Sequence, residues 1–151
     1  MGTVAPEPGG LERFVIAQGP VWETVMAELR AGRKESHWSW FVFPQLAGLG
    51  ASEMSRRFAI ASLAEAQAYL AHPVLGDRLR TVARILLAVA GRTAVEILGE
   101  TDAKKLRSCM TLFHHADPDE PLFPAVMDRF FAGETDALTE AILREEPDPG
   151  P

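Results

Sequence analysis

Between Leu75 and Ala90 the apolar residues Leu79, Val82, Ala83, Leu86, Leu87 and Ala90 recur at helical spacing, with Arg78, Arg80 and Arg84 on other faces. A stripe of that period must be covered by neighbouring elements, so it predicts a helix at the centre of a helical assembly, ended by Gly91. The rest of the chain agrees. Val21, Val25, Met26 and Leu29 share one face of a helix stopped at Gly32. Ser62-Leu63-Ala64-Glu65 has the form of a capping box, and its helix ends before His72-Pro73 because the residue preceding proline avoids helical ψ. Thr93 to Glu96 repeats the pattern for a short helix closed by Gly99, and Thr101 or Asp102 is placed to cap the next, through Leu106, Met110 and Phe113. Helices over Phe123–Phe131 and Asp136–Leu143, separated by Gly133, complete the set. No alternating run is bounded by Asn-Gly or Asp-Gly turns. The fold class is therefore all-α, a compact multi-helical single domain over 11–145, with a flexible leader over 1–10 and a flexible tail over 146–151 that are rich in proline and glycine.

One irregular aromatic segment interrupts this regularity. Trp38, Trp40, Phe41 and Phe43 fall within six residues, beside His37 and Gln45 and just after Arg30, Arg33 and Lys34. As a short helix capped by Ser36, the segment puts Trp38, Phe41 and Val42 on one face and stops at Pro44. As a strand, it puts Trp38, Trp40 and Val42 on one side and His37, Ser39, Phe41 and Phe43 on the other. Phe41 and Phe43 read as core in either geometry, whereas each indole N–H needs a partner and both indoles are equally suited to the wall of a cleft. His37 has a reference pKa of about 6.5, suited to acid–base work, although desolvation and nearby cations both favour the neutral ring. Gln45 offers an amide that reads a base edge or ties down a loop. Arg33 and Lys34 can clamp a phosphate, or complement a helix end.

Composition narrows the partners. The 151 residues carry a net charge of −6, unevenly: Asp117 to Asp148 hold ten acids against Arg129 and Arg144, while the first 116 residues are slightly basic. This argues against nucleic acid and leaves room for a small anionic ligand. No apolar run reaches the roughly 20 residues needed to span a bilayer, and the N-terminus lacks a signal-peptide pattern, so no membrane is expected. A lone cysteine, Cys109, rules out an internal disulfide, which fits a reducing cytoplasm. Four histidines and that cysteine form no zinc pattern, no cofactor is implied, and neither a phosphate loop nor a nucleophile elbow is present. Cys109 lies within a helical turn of Arg107 yet reads as a buried thiol. Gly48-Leu49-Gly50-Ala51-Ser52, before a helix at Glu53, serves a turn or an anion at the helix N-terminus.

The strings Gly32-Arg33-Lys34, Ser36-His37-Trp38-Ser39-Trp40-Phe41-Val42-Phe43-Pro44-Gln45, Gly48-Leu49-Gly50, Tyr69-Leu70-Ala71-His72-Pro73-Val74-Leu75-Gly76 and Lys105-Leu106-Arg107-Ser108-Cys109-Met110-Thr111-Leu112-Phe113 together resemble the bacterial family catalogued as domain of unknown function 1810. The resemblance covers about Leu11 to Leu143 and implies a compact, all-helical cytosolic domain without an assigned activity. It also implies tyrosine where Trp22 stands and often serine at Cys109, which weakens a thiol nucleophile. Members are often labelled calpastatin, a name suited to a flexible, polar, lysine-rich chain; a hydrophobic content of 47% contradicts it here.

Two readings compete. In the first, His37, Trp38, Trp40 and Gln45, with Arg33 and Lys34, line a cleft for a small anionic, nucleotide-like ligand, with His37 as acid–base if the protein is catalytic. In the second, the chain is a non-enzymatic helical interaction module whose acidic C-terminal part meets a basic partner, with the aromatic segment purely core; under either reading, helical packing leaves room for an apolar patch and a homodimer. The first expects at least one of Trp38 and Trp40 to be partly accessible beside His37; the second expects both sealed.

Overall fold

The structure is a computed structural model and describes residues 10–146. The expected leader and tail lie outside the described residues, apart from Gly10 and Glu146. Among the described residues there is no strand, and the elements run α1 (Glu12–Gln18), a 3₁₀ turn (Gly19–Val21), α2 (Trp22–Arg30), α3 (Ser39–Val42), α4 (Glu53–Arg57), α5 (Leu63–Ala71), α6 (Leu75–Ala88), α7 (Ala94–Leu98), α8 (Glu100–Ala116), α9 (Leu122–Phe131) and α10 (Ala137–Glu145). The all-α reading holds.

The polar punctuation sets several of these starts. Thr93 makes a complete capping box with Glu96. Ser62 accepts from the Glu65 amide at 3.1 Å, but the Glu65 carboxylate reaches Ala61 N instead of closing the box. Ser52 and Asp136 cap α4 and α10. The expected cap for α8 is corrected: that helix starts at Glu100, directly from Gly99 at φ +88°, and the Asp102 carboxylate is drawn away to Lys34 and Ser39. Gly99 thereby ends α7 and opens α8 in one residue, which a side chain at that φ would resist. Helix α1 escaped the sequence reading; it brings Phe14 into the core and Arg13 against it.

The centre of the bundle is α8, where α6 was expected. Helix α8 packs on α3, α5, α7, α9 and α10, while α6 meets α2, α5 and α9. The polar letters of α8 concealed this. Ser108 and Thr111 are buried, and their hydroxyls donate to carbonyls one turn back, Lys104 O at 3.1 Å and Arg107 O at 2.8 Å, so neither needs water. Cys109 is fully buried on the same helix, and burial raises its thiol pKa well above the ordinary value, which makes it a poor nucleophile. Helix α6 ends at Ala88, short of the expected Ala90, because Val89 turns extended.

A chain of rings crosses the core: Phe58 to Phe14 at 5.8 Å between centroids, Phe14 to Tyr69 at 5.2 Å, Tyr69 to Phe113 at 5.1 Å and Phe113 to Phe123 at 6.3 Å. Pairs of this kind add roughly 0.5–1.5 kcal/mol beyond the area they bury. Two buried polar side chains lock the irregular connection around α3 and α4 onto this core. Gln18 donates to Phe41 O at 2.6 Å and to the Tyr69 hydroxyl at 3.1 Å. Arg13 donates to Arg57 O at 2.9 Å, Ala59 O at 2.7 Å and Gly10 O, which fixes the chain after α4. That chain then forms a single parallel bridge between Leu46 and Ile60.

The stop after α9 begins one residue before the glycine expected to make it. Ala132 adopts the left-handed conformation at φ 55° ahead of Gly133 at φ 78°. For a residue with a Cβ that conformation costs about 1–2 kcal/mol. Ala132→Gly is therefore expected to raise stability by about 0.5–1 kcal/mol, seen as a higher urea midpoint at unchanged m-value; an unchanged or lower midpoint would refute the strain.

Candidate functional site

After α2 the chain turns back through Gly32 and passes the helix's own Glu28. The Glu28 carboxylate collects four donors: Glu35 N at 2.9 Å, Ser36 N at 3.0 Å, Ser36 Oγ at 2.6 Å and Trp38 Nε1 at 2.9 Å. Burial alone raises a carboxyl pKa, but the hydrogen bonds from the Ser36 hydroxyl, the Glu35 and Ser36 amides and the Trp38 indole outweigh it and hold Glu28 at about 2. Ser36 thus spends its hydroxyl on Glu28 and does not cap α3, which starts from Trp38 without a side-chain cap. The aromatic segment is the short helix of the two geometries considered.

A second charged knot sits beside the first. Lys34 Nζ lies 2.7 Å from Asp102 Oδ2, with the two side chains 7% and 15% exposed. Asp102 Oδ1 accepts from Ser39 Oγ at 2.8 Å and lies 3.4 Å from Lys105 Nζ. Burial opposes ionisation of Asp102, while the hydrogen bonds from Lys34 and Ser39 and the charges of Lys34 and Lys105 keep its pKa below the ordinary value. The two ammonium groups also sit over the indoles, Lys34 5.0 Å from the Trp38 ring and Lys105 4.7 Å from the Trp40 ring. Such a pair is costly to break, since removing one partner strands a buried charge.

The two tryptophans part company here. Trp38 is 0% exposed and packs edge-on against Phe43 at 5.7 Å. Trp40 stays partly accessible, and it lines a cleft of about 290 Å³ together with Gln45, Leu46, Ser55, Arg56 and Phe58. Gln45 donates to Ser108 Oγ at 3.1 Å, which fixes the amide plane. Ser52 donates to Ser55 Oγ at 2.9 Å, and Arg56 reaches back to Ala51 O, just ahead of α4. Gly50 is what admits Ser55: a Cβ there would stand 2.5 Å from the serine Cβ.

Of the residues singled out in the sequence, Trp40 and Gln45 share this cleft, and Lys34 and Trp38 form its buried support through Asp102 and Ser39. Arg33 and His37 are exposed and do not line this cleft. Glu28, Asp102, Ser55 and Arg56 were missed. The Asp102/Lys105 pair, three residues apart on one helix face, was a visible local signal. The contacts of Glu28 arise from a reversal of the chain, which no periodicity encodes. Among the described residues no group of three or more His, Cys, Asp or Glu side chains is arranged to hold a metal ion, and no helix is long and apolar enough to cross a membrane.

The sequence pattern of the family described as "Protein of unknown function (DUF1810)" matches residues 8–143. The chain belongs to this family. A solved structure similar to this DUF1810 chain is that of the conserved hypothetical protein Rv1873 from Mycobacterium tuberculosis, 48% identical, with a TM-score of 0.90 and covering 93% of this chain and 100% of that one. No curated protein matches the chain. The similarity of fold extends over nearly the whole of this DUF1810 chain.

Proposed function

We propose that the Trp40 cleft binds a small anionic ligand carrying a planar ring, such as a mononucleotide, in a cytosolic bacterial protein. The observation that supports this is the partly accessible indole of Trp40, which has Lys105 over its ring and lines one cleft with the Gln45 amide and the Arg56 side chain. The free edge of the indole offers an apolar surface, Gln45 Oε1 an acceptor for an exocyclic amine, Ser55 a hydroxyl, and Arg56 a charge for phosphate or carboxylate. A volume of about 290 Å³ sits at the lower end of small-molecule sites, roughly 300–1,000 Å³, which favours one nucleotide over a dinucleotide. In this reading Lys34 and Trp38 hold the wall in place and do not touch the ligand. An acid–base role for His37, and a charge from Arg33, belong to the catalytic version of the same proposal.

The interaction-module alternative draws less support, because much of the acidic C-terminal part is used internally. Asp117 and Glu120 meet Arg80, Glu134 meets Arg107, Glu140 meets His115, and Asp136 caps α10.

Thermal melting and tryptophan fluorescence against mononucleotides, sugar phosphates and dinucleotides test the proposal. A ligand at 100-fold its Kd is expected to stabilise the fold by about 2.7 kcal/mol and to perturb Trp40 emission. Both effects are expected to vanish in Trp40→Ala and Gln45→Ala and to persist in His37→Ala, which in the catalytic version loses turnover alone. If no compound shifts the melt, or if the shift survives Trp40→Ala, the cleft is not the site.

A further inference from the structure

On the side of the molecule formed by α2 and the end of α6 lies a second depression, a groove of about 260 Å³. Its floor is aliphatic, Ile85, Ala88 and Val89, and Arg30 and Arg84 stand at its rim. Two more arginines converge on the same end of α6. Arg92 packs its stem where a Cβ on Gly32 would meet it at 3.1 Å and Val89 at 3.3 Å. Arg129 donates to Leu87 O at 3.1 Å and to Val89 O. Arg129 complements the dipole of α6 in the ordinary way.

Arg30 complements the dipole of α2 in the same way, from its last turn, but it and Arg84 differ from Arg129 in what their guanidiniums reach. Arg30 has only the sulfur of Met26 at 3.9 Å, and Arg84 makes no hydrogen bond to the described residues. No carboxylate of the described residues pairs with Arg30, Arg84, Arg92 or Arg129. The neighbours of Arg84 on its own helix show the contrast. Arg78 bonds Gln18 and lies 5.1 Å over the Trp22 ring, and Arg80 is 2.7 Å from Glu120. In a chain of net charge −6, two arginines without a carboxylate partner flank this aliphatic floor, and Arg92 and Arg129 lie near the same end of α6, their guanidiniums on backbone carbonyls.

We propose that this groove docks an acidic peptide segment of a partner protein, with one aliphatic side chain on the Ile85/Ala88/Val89 floor and flanking carboxylates on Arg30 and Arg84. The floor holds no ring on which a base could stack, which disfavours a single-stranded nucleic acid. Arginine suits the role, since its planar fork takes a carboxylate bidentately and is weakly hydrated.

The experiment is fluorescence anisotropy of a labelled synthetic peptide of alternating glutamate and leucine against the whole protein. Scrambled lysine/leucine peptide and a single-stranded oligonucleotide serve as comparators. The acidic peptide is expected to bind saturably, to weaken with salt, and to lose about tenfold or more in affinity in Arg30→Glu/Arg84→Glu. Ala88→Glu, which puts a carboxylate on the floor and leaves the arginines in place, is expected to weaken it as well, with melting curves close to wild type for both variants. Peptide binding that is absent, or indifferent to these changes, overturns the proposal, as does tighter binding of the oligonucleotide. Trp40→Ala is expected to leave peptide binding unchanged, so the groove and the Trp40 cleft stand or fall separately.

Discussion

Gly76→Ala is expected to destabilise the fold by about 3 kcal/mol or more, lowering the thermal midpoint by on the order of 10 °C. The reason is the elbow between α5 and α6. A Cβ on Gly76 would stand 2.1 Å from the carbonyl oxygen of Leu70 and 2.9 Å from its carbon. Backbone cannot yield as a flexible side chain does, so the start of α6 must lift off the end of α5. That start is also where the turn is tied: His72 Nδ1 accepts from Val74 N at 3.1 Å and from Leu75 N at 3.3 Å, and Gly76 N donates to His72 O at 3.0 Å. Gly19→Ala is the control, since a Cβ there meets nothing within 4 Å. Equal melting of the two variants by circular dichroism would mean that the elbow is not tight.

Glu28→Ala should cost about 2–4 kcal/mol, because the buried Trp38 indole N–H and three donors from Glu35 and Ser36 lose their acceptor together. Glu28→Gln keeps one carbonyl oxygen and should fall between the two. The same site predicts a pH dependence. The folded pKa of about 2 lies below the ordinary 4.5, so the unfolded chain takes up a proton first as the pH drops. The stabilisation is therefore complete above about pH 4.5 and is lost progressively as pH falls toward 2. Urea midpoints measured across that window should drop more steeply for wild type than for Glu28→Gln. Parallel slopes would show that the Glu28 hub does not drive the acid response.

What the sequence made legible was local. Ser62 and Thr93 announce helix starts because a hydroxyl three residues ahead of an amide satisfies it wherever the rest of the chain lies. Phe41 and Phe43 are legible as core by type, whereas Trp40 and Gln45 carry no signal in the sequence that sets them apart from Trp38, His37, Arg33 or Lys34. The rest depended on contacts across the chain. Nothing near Asp102 in sequence says that its carboxylate meets Lys34 in preference to capping α8, and the centrality of α8 was hidden by hydroxyls that bond their own helix. Trp38 and Trp40 look equivalent in the sequence. One indole is sealed against Phe43 with its N–H on Glu28, and the other stays partly open at the cleft.

The hydrogen bonds that frame the Trp40 cleft join residues far apart along the chain: Gln45 to Ser108 spans 63 residues, Lys105 to Ser39 66, and Arg13 to Ala59 46. Each such closure costs chain entropy before any contact repays it, so none of these links is encoded locally. The cleft is thus a property of the completed bundle. A peptide spanning Ser36 to Ala59 would carry all of its lining residues but none of the links to Arg13, Lys105 and Ser108 that frame it.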